Sequence, residues 1–376
     1  MRTERQALRI GPGDDNRARW SRPGSVLVEE GLERLAAVRA GRFDLSWMQA
    51  APPRWGTRPP RSAIGLTLDD INSGPYGIVP ERAQRGVTLR GAAGRTSEKA
   101  AAPTYEIDDK AEVWADNAAE LYEEAALRQW SSTRDIPWER LEPLPDDLER
   151  AVCQLCTQLT QMEFVAVEMP ARWIGRVSRD FHEVTLFLAT QVHDEARHLE
   201  VFRKRALANG GGLLRPSARW ESIGRMIMEA PTFTVASALT HILFEGWVLS
   251  LFRDVECFAP TEVEKRIFQL CVQDEARHIA YGIRHLQYFL ARHPERAAEI
   301  HAVLAAGEEA LFALAMEPQS IEPQLILAGG SIERMGEGLP RLAAIHQRQV
   351  REYLHRLEMA GIDRSTRCRI PRQLPS

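Results

Sequence analysis

Two identical pentapeptides could do chemistry in this chain. Asp-Glu-Ala-Arg-His occupies residues 194–198 and again residues 274–278, 80 residues apart. On a helix, residues i and i+3 share a face. Glu195 with His198 therefore offers a carboxylate oxygen and an imidazole nitrogen to one metal ion, and Glu275 with His278 offers the same pair to a second. Five identical positions in two separate helices are hard to assign to chance. A helical bundle that holds two ions in its core uses Glu-x-x-His from each of two helices and one further Glu from each of the other two.

That template requires an inward glutamate at matching depth on the helix before each motif. For the second motif it is Glu245, which interrupts the otherwise apolar run at 241–252. Glu245 lies 15 residues before Pro260 and Glu275 lies 15 after it, so their depths agree. For the first motif the candidates are Glu163 and Glu168. Glu163 precedes Glu195 by 32 residues, close to the 30 between Glu245 and Glu275. Glu163 is therefore the expected ligand, with Glu168 a supporting group or alternative ligand. Asp194 and Asp274 are expected to accept hydrogen bonds from the ligand histidines and set their tautomers, with Arg197 and Arg277 balancing their charge. His241, four residues before Glu245, is a further supporting group or an additional ligand.

The elements that must position these groups are helices. From residue 108 the texture is helical, with few strand signals. The pattern predicts helices at about 108–130, 147–173, 178–208, 219–229, 231–257, 262–292, 295–316 and 341–359. Asn209 and three glycines stop the third, and Pro260 and Thr261 separate the two long ones of the second hairpin. The fold class is all-α, and the four long helices make two hairpins, enough for a four-helix bundle. On the third, Val184, Leu188, Gln191, Glu195, His198 and Phe202 form one stripe. On the fourth, Ala238, His241, Ile242, Glu245, Leu249 and Phe252 do the same. Carboxylates in such stripes are costly to bury without partners. Four carboxylates and two imidazoles suit iron or manganese better than zinc, whose structural sites favour thiolates.

The flanks are less regular. Residues 1–104 are rich in Arg, Gly, Pro and Ala, with one helix-like segment at 26–39, and read as an irregular, partly disordered arm. Residues 363–376 read as a frayed tail after a helical domain at 105–362. Net charge is −4 over 376 residues, which argues against a general nucleic-acid binder or a membrane-surface protein. No stretch approaches the roughly 20 uninterrupted apolar residues of a membrane span. Five scattered cysteines and the lack of an apolar leader point to a reducing cytoplasm. The Cys153–Cys156 spacing reads as core packing. Trp114, Trp130 and Trp138 read as core, or as an electron path.

Across about residues 108–292 the paired motif resembles the ferritin-like di-iron carboxylate superfamily, which includes monooxygenase hydroxylases, the ribonucleotide reductase small subunit, acyl desaturases and N-oxygenases. The resemblance implies iron on Glu163, Glu195 and His198, and a second iron on Glu245, Glu275 and His278, with a manganese–iron pair as the variant. It implies dioxygen as co-substrate and oxidation of a small organic molecule by hydroxylation, N-oxygenation, desaturation or cleavage. A ferredoxin or reductase would supply electrons, and a homodimer is the prior. The alternatives are a radical-bearing or ligand-binding oxidase, or a non-catalytic iron-binding protein. Three positions bear on the choice. Phe202 stands where the reductase subunit has its radical tyrosine. Tyr281 follows the second motif. Cys271 stands where N-oxygenases have an extra histidine ligand.

Overall fold

The computed structural model describes residues 24–42, 65–72, 74–83, 90–91, 105–255 and 259–374. Contacts divide the chain into two units, Met1–Ala50 and Ala51–Ser376. The first contains helix α1 (Gly24–Arg39), on which Leu32, Leu35 and Val38 are exposed.

The second unit is helical, and no strand occurs among its described residues, only two isolated bridges. It opens with the short α2 (Leu68–Ile71), closed by a capping box between Thr67 and Asp70. The chain around α2 is tied to the helical body. Glu123 accepts from the Leu68 amide at 2.8 Å, and Glu183 accepts from Asn72 at 2.8 Å and also pairs with Arg90. A composition boundary at residue 104 thus falls inside a contact-continuous unit.

Helices α3 (Ala118–Leu127), α4 (Asp146–Ile174) and α5 (His182–Ala208) follow. Asp146, Asp147 and Glu149 in the first turn of α4 favour the positive end of its dipole. After α6 (Ala218–Met228) comes α7 (Phe233–Ser237), started by the Thr232 side chain. It runs without a break into a π-helical turn, Ala238–Phe244, and then α8 (Glu245–Val255). Helix α9 (Glu262–Arg292) begins with a capping box between Thr261 and Glu264. The sequence predicted the two long hairpins, α4–α5 and α7–α9, to within a few residues. The interval 233–254 is long and apolar enough to cross a membrane, but 94% of its most apolar window is buried inside the structure. Its hydropathy is that of a bundle's central helix.

Helices α10 (Ala297–Ala315), α11 (Pro318–Gly329) and α12 (Leu339–Met359) complete the unit. Helix α11 is not among the helices expected from the sequence. Pro318 sits in the first turn, where no amide donor is needed. Gly330 ends the helix in the left-handed region, φ 84°.

The tail is anchored, contrary to the frayed reading. Arg364 grips Glu308 with two hydrogen bonds of 2.6 Å, and Tyr353 Oη donates to the same carboxylate at 2.7 Å. Ile362 and Ile370 are buried. An arginine fork and two isoleucines hold a segment whose local sequence has no helical or strand pattern.

Candidate metal centre

The two hairpins bring six side chains to one point in the bundle core. Glu163 comes from α4, Glu195 and His198 from α5, Glu245 from α8, and Glu275 and His278 from α9. All six are at most 4% exposed. Their donor atoms form two overlapping clusters, Glu163–Glu195–His198–Glu275 and Glu195–Glu245–Glu275–His278, each with its atoms within 4.8 Å of one another. Glu195 and Glu275 belong to both. Each cluster contains one expected triad, Glu163–Glu195–His198 or Glu245–Glu275–His278, together with the glutamate of the other motif.

Both imidazoles turn Nδ1 inward. His198 Nδ1 lies 2.9 Å from Glu195 and 3.5 Å from Glu275. His278 Nδ1 lies 3.0 Å from Glu195 and 3.6 Å from Glu275. Proximity is not pairing here. Both oxygens of Glu163 and of Glu195, one each of Glu245 and Glu275, and both Nδ1 atoms have no hydrogen-bond partner. Eight buried polar atoms facing one another without partners is far from the usual satisfaction of protein interiors. The set fits a pair of metal ions, whose bonds would satisfy all eight.

The outer nitrogens are held by the aspartates in a crossed arrangement. His198 Nε2 is 3.3 Å from Asp274, the aspartate of the other motif, and His278 Nε2 is 3.4 Å from Asp194. Arg197 donates to Asp194 at 2.5 Å and to Asp274 at 3.0 Å; Arg277 donates to Asp274 at 2.5 Å and to Asp194 at 2.9 Å. Trp130 Nε1 adds a bond to Asp274 at 2.7 Å. Each motif thus orients the histidine of its twin, which explains why both copies carry Asp and Arg.

Burial sets the charge states. It pushes the Glu163 and Glu245 carboxyls well above the ordinary range, with the neighbouring carboxylates adding to it. Glu195 is also buried, but His278 and His198 overcome that cost and hold it well below the ordinary range. His278 is raised, burial notwithstanding, by Glu195 and Asp194.

One expected position differs, and another supports the site indirectly. Glu168 is exposed. It lies five residues after Glu163, about 140° around the helix, and it neither supports nor replaces a ligand. His241 is buried but spends both ring nitrogens on neighbours, Nδ1 with Ser237 Oγ at 2.8 Å and Nε2 with Gln191 Oε1 at 3.1 Å. Gln191 Nε2 then donates to Glu245 at 3.1 Å. His241 acts on the site through Gln191, which the sequence showed only as a member of the α5 stripe. The π turn carries His241, and such turns recur at functional sites. Cys271 is buried, and burial pushes its thiol up, which does not favour a thiolate ligand.

A prediction follows from the orphaned carboxylates. The raised pKa of Glu163 means its contribution to stability is full below about 4.5, the ordinary glutamate value, and is lost as pH rises through the folded-state value. Glutamine mimics the protonated carboxyl at every pH. In chelator-treated protein, Glu163→Gln should therefore raise stability by about 1–3 kcal/mol at pH 8 and by much less at pH 5. Paired thermal melts at the two pH values check this; a difference that does not grow with pH would contradict an uncompensated buried carboxylate.

No protein-family model matches the chain, and no curated protein matches it. Solved structures do. A point variant of an R2-like ligand-binding oxidase with an aerobically reconstituted Mn/Fe cofactor aligns with a TM-score of 0.50 at 18% identity, over 64% of this chain and 92% of the other. A second variant, with an anaerobically reconstituted Mn/Fe cofactor, aligns with a TM-score of 0.50 at 17% identity, over 68% and 93%. The chain thus shares the all-helical fold of these structures, with a buried cluster of four glutamates and two histidines at its centre.

Proposed function

We propose that the chain holds two iron ions, or a manganese–iron pair, and uses dioxygen to oxidise a small, largely apolar organic substrate. The observation that carries this reading is the set of eight partnerless donor atoms converging in the core. When bound, such ions supply the electrons that reduce dioxygen.

The chain's own residues do the rest. Glu163, Glu195, His198, Glu245, Glu275 and His278 would hold the ions, with Glu195 and Glu275 common to both donor clusters. Asp274 and Asp194 keep each imidazole turned with Nδ1 inward. Gln191 fixes the orientation of Glu245. Phe187, Phe202, Ile242 and Phe252, all at most 1% exposed, are part of the packed apolar core that keeps water out.

Insertion of one oxygen atom into a substrate consumes two further electrons, so an external donor such as a ferredoxin or reductase belongs to the reading. Trp130 bonded to Asp274, itself beside His198, is a connected route toward the centre. Free cysteines at 153, 156, 271 and 368 fit a reducing cytoplasm. A homodimer remains the expected assembly.

A ligand-binding oxidase with a manganese–iron pair is the second reading, favoured by the cofactor of the aligned structures. A tyrosyl radical is disfavoured. Phe202 packs between Phe252 and Phe268, and the Tyr281 hydroxyl is bonded to the Val113 carbonyl at 2.5 Å. The test is dioxygen uptake by protein loaded anaerobically with ferrous ion alone or with manganous plus ferrous ion, with metal content measured in parallel. Rapid uptake, about one dioxygen per metal pair, supports the proposal and the better loading separates the two metal readings. Bound metal without dioxygen uptake would leave a storage or sensing protein.

A further inference from the structure

Beside the metal centre lies a cavity of about 70 Å³ between α4, α6, α8, α10 and α11. Its walls are apolar, with Leu159, Met162, Trp220, Phe244 and Trp247 among them. A smaller cavity of about 20 Å³ shares Met162, Trp220 and Phe244 with it and is lined by Glu163, Glu245 and Glu275. The two adjoin at those three shared side chains, and the smaller one lies against the carboxylates.

The polar groups of the larger cavity are uncharged. Gln158, Ser320 and Gln324 line it, and no Asp, Glu, Lys, Arg or His does. Ser320 Oγ donates to Gln158 Oε1 at 3.1 Å, and Gln324 Nε2 is engaged by the Ser320 carbonyl at 2.9 Å. The Gln158 Nε2 donor is buried and has no partner, in a side chain only 9% exposed. A buried amide donor left unmade is costly. A ligand pocket that is apolar with a few placed polar groups is the usual arrangement.

We infer that the substrate is an uncharged, elongated, apolar molecule with one hydrogen-bond acceptor, such as a ketone, ester or amide carbonyl, which Gln158 Nε2 holds. Gln158 lines the larger cavity and Glu163 and Glu245 line the smaller one, so with the carbonyl held at Gln158 the far end of the molecule points toward the carboxylates. A free carboxylate is rejected, since burying it here offers it no cation. The identity of the ligand rests on this pocket alone; its role as substrate rests on the proposed function above.

The test uses metal-free full-length protein and the change in its tryptophan fluorescence, to which Trp220 and Trp247 in the cavity wall contribute, so it does not depend on turnover. The probes are methyl pentyl ketone, heptane and heptanoate, all of seven carbons. Wild type should bind the ketone and heptane, and heptanoate weakly or not at all. Gln158→Leu should weaken the ketone by about five- to tenfold and leave heptane unchanged. Gln158→Met is the second variant if the first fails to fold, as judged by circular dichroism. Equal effects on ketone and heptane, no effect on either, heptanoate binding as tight as the ketone, or no binding of any probe would each overturn the inference. Metal uptake is measured on separate aliquots of the same preparations after anaerobic exposure to ferrous ion. Ketone binding by a protein that takes up no metal would keep the pocket and sink the dioxygen reading, and metal uptake without ketone binding would do the reverse.

Discussion

Wild-type protein is expected to carry about two metal ions per chain, and Glu195→Ala combined with Glu275→Ala to carry essentially none. These two glutamates belong to both donor clusters, so removing them takes ligands from both ions at once. A single end ligand is different: Glu163→Ala or Glu245→Ala should lower occupancy of one ion more than the other. The exposed Glu168 is the control, and Glu168→Ala should leave metal content unchanged. Elemental analysis reads all of these. Stability supplies an independent sign. A ligand present at a thousand times its dissociation constant stabilises the folded state by about 4 kcal/mol, so metal should raise the melting temperature of wild type and not of the double variant. In chelated protein that metal-dependent gain should be absent from both. A double variant that keeps its metal, or one that metal stabilises as much as it does wild type, would contradict the placement of the site.

Arg364→Met is expected to cost about 3–5 kcal/mol, the range for stripping one partner from a buried ion pair. Arg364 is 2% exposed and Glu308 is fully buried. The lost fork leaves Glu308 with only the Tyr353 hydroxyl and the Arg369 amide, at 2.7 Å each. Glu308→Leu in the Arg364→Met background should restore a large part of the loss, because two apolar groups in place of a buried pair are often nearly neutral. Denaturant unfolding of the single and double variants measures both. The pair lies outside the metal centre, so metal content per folded chain should not change. A single-variant cost below about 1 kcal/mol would mean the tail is held by Ile362 and Ile370 instead.

The cost of burying charge links the two expectations. At the candidate metal centre the proposed partners for four carboxylates are ions, and at the tail the partner is a guanidinium. Both sites put anions in an apolar interior. They differ in what the fold supplies to neutralise them, and hence in the response to chelation.

How much of this was legible in the sequence depends on range. Relations within one helix could be read directly. Glu195 with His198, and Glu275 with His278, share a face because three residues make nearly one turn. The long helices showed themselves through capping residues and prolines, since Thr261, Pro260 and the glycines after Asn209 act locally. Glu245 stood out because a carboxylate in an apolar run must have a reason to be there. The choice of Glu163 over Glu168 came from hairpin symmetry. In the structure the two lie about 140° apart on one helix, one buried and one exposed.

What the sequence by itself determined, then, is the all-α class, the two long hairpins and the six residues that converge, because each follows from helical period and local capping. The tertiary structure decided the rest. The aspartate of each motif serves the histidine of the other, Glu195 and Glu275 are shared, His241 reaches the site only through Gln191, and Arg364 closes on Glu308 across 56 residues. None of these has a local signature. Each depends on which helix faces which, and that is set by packing the whole bundle.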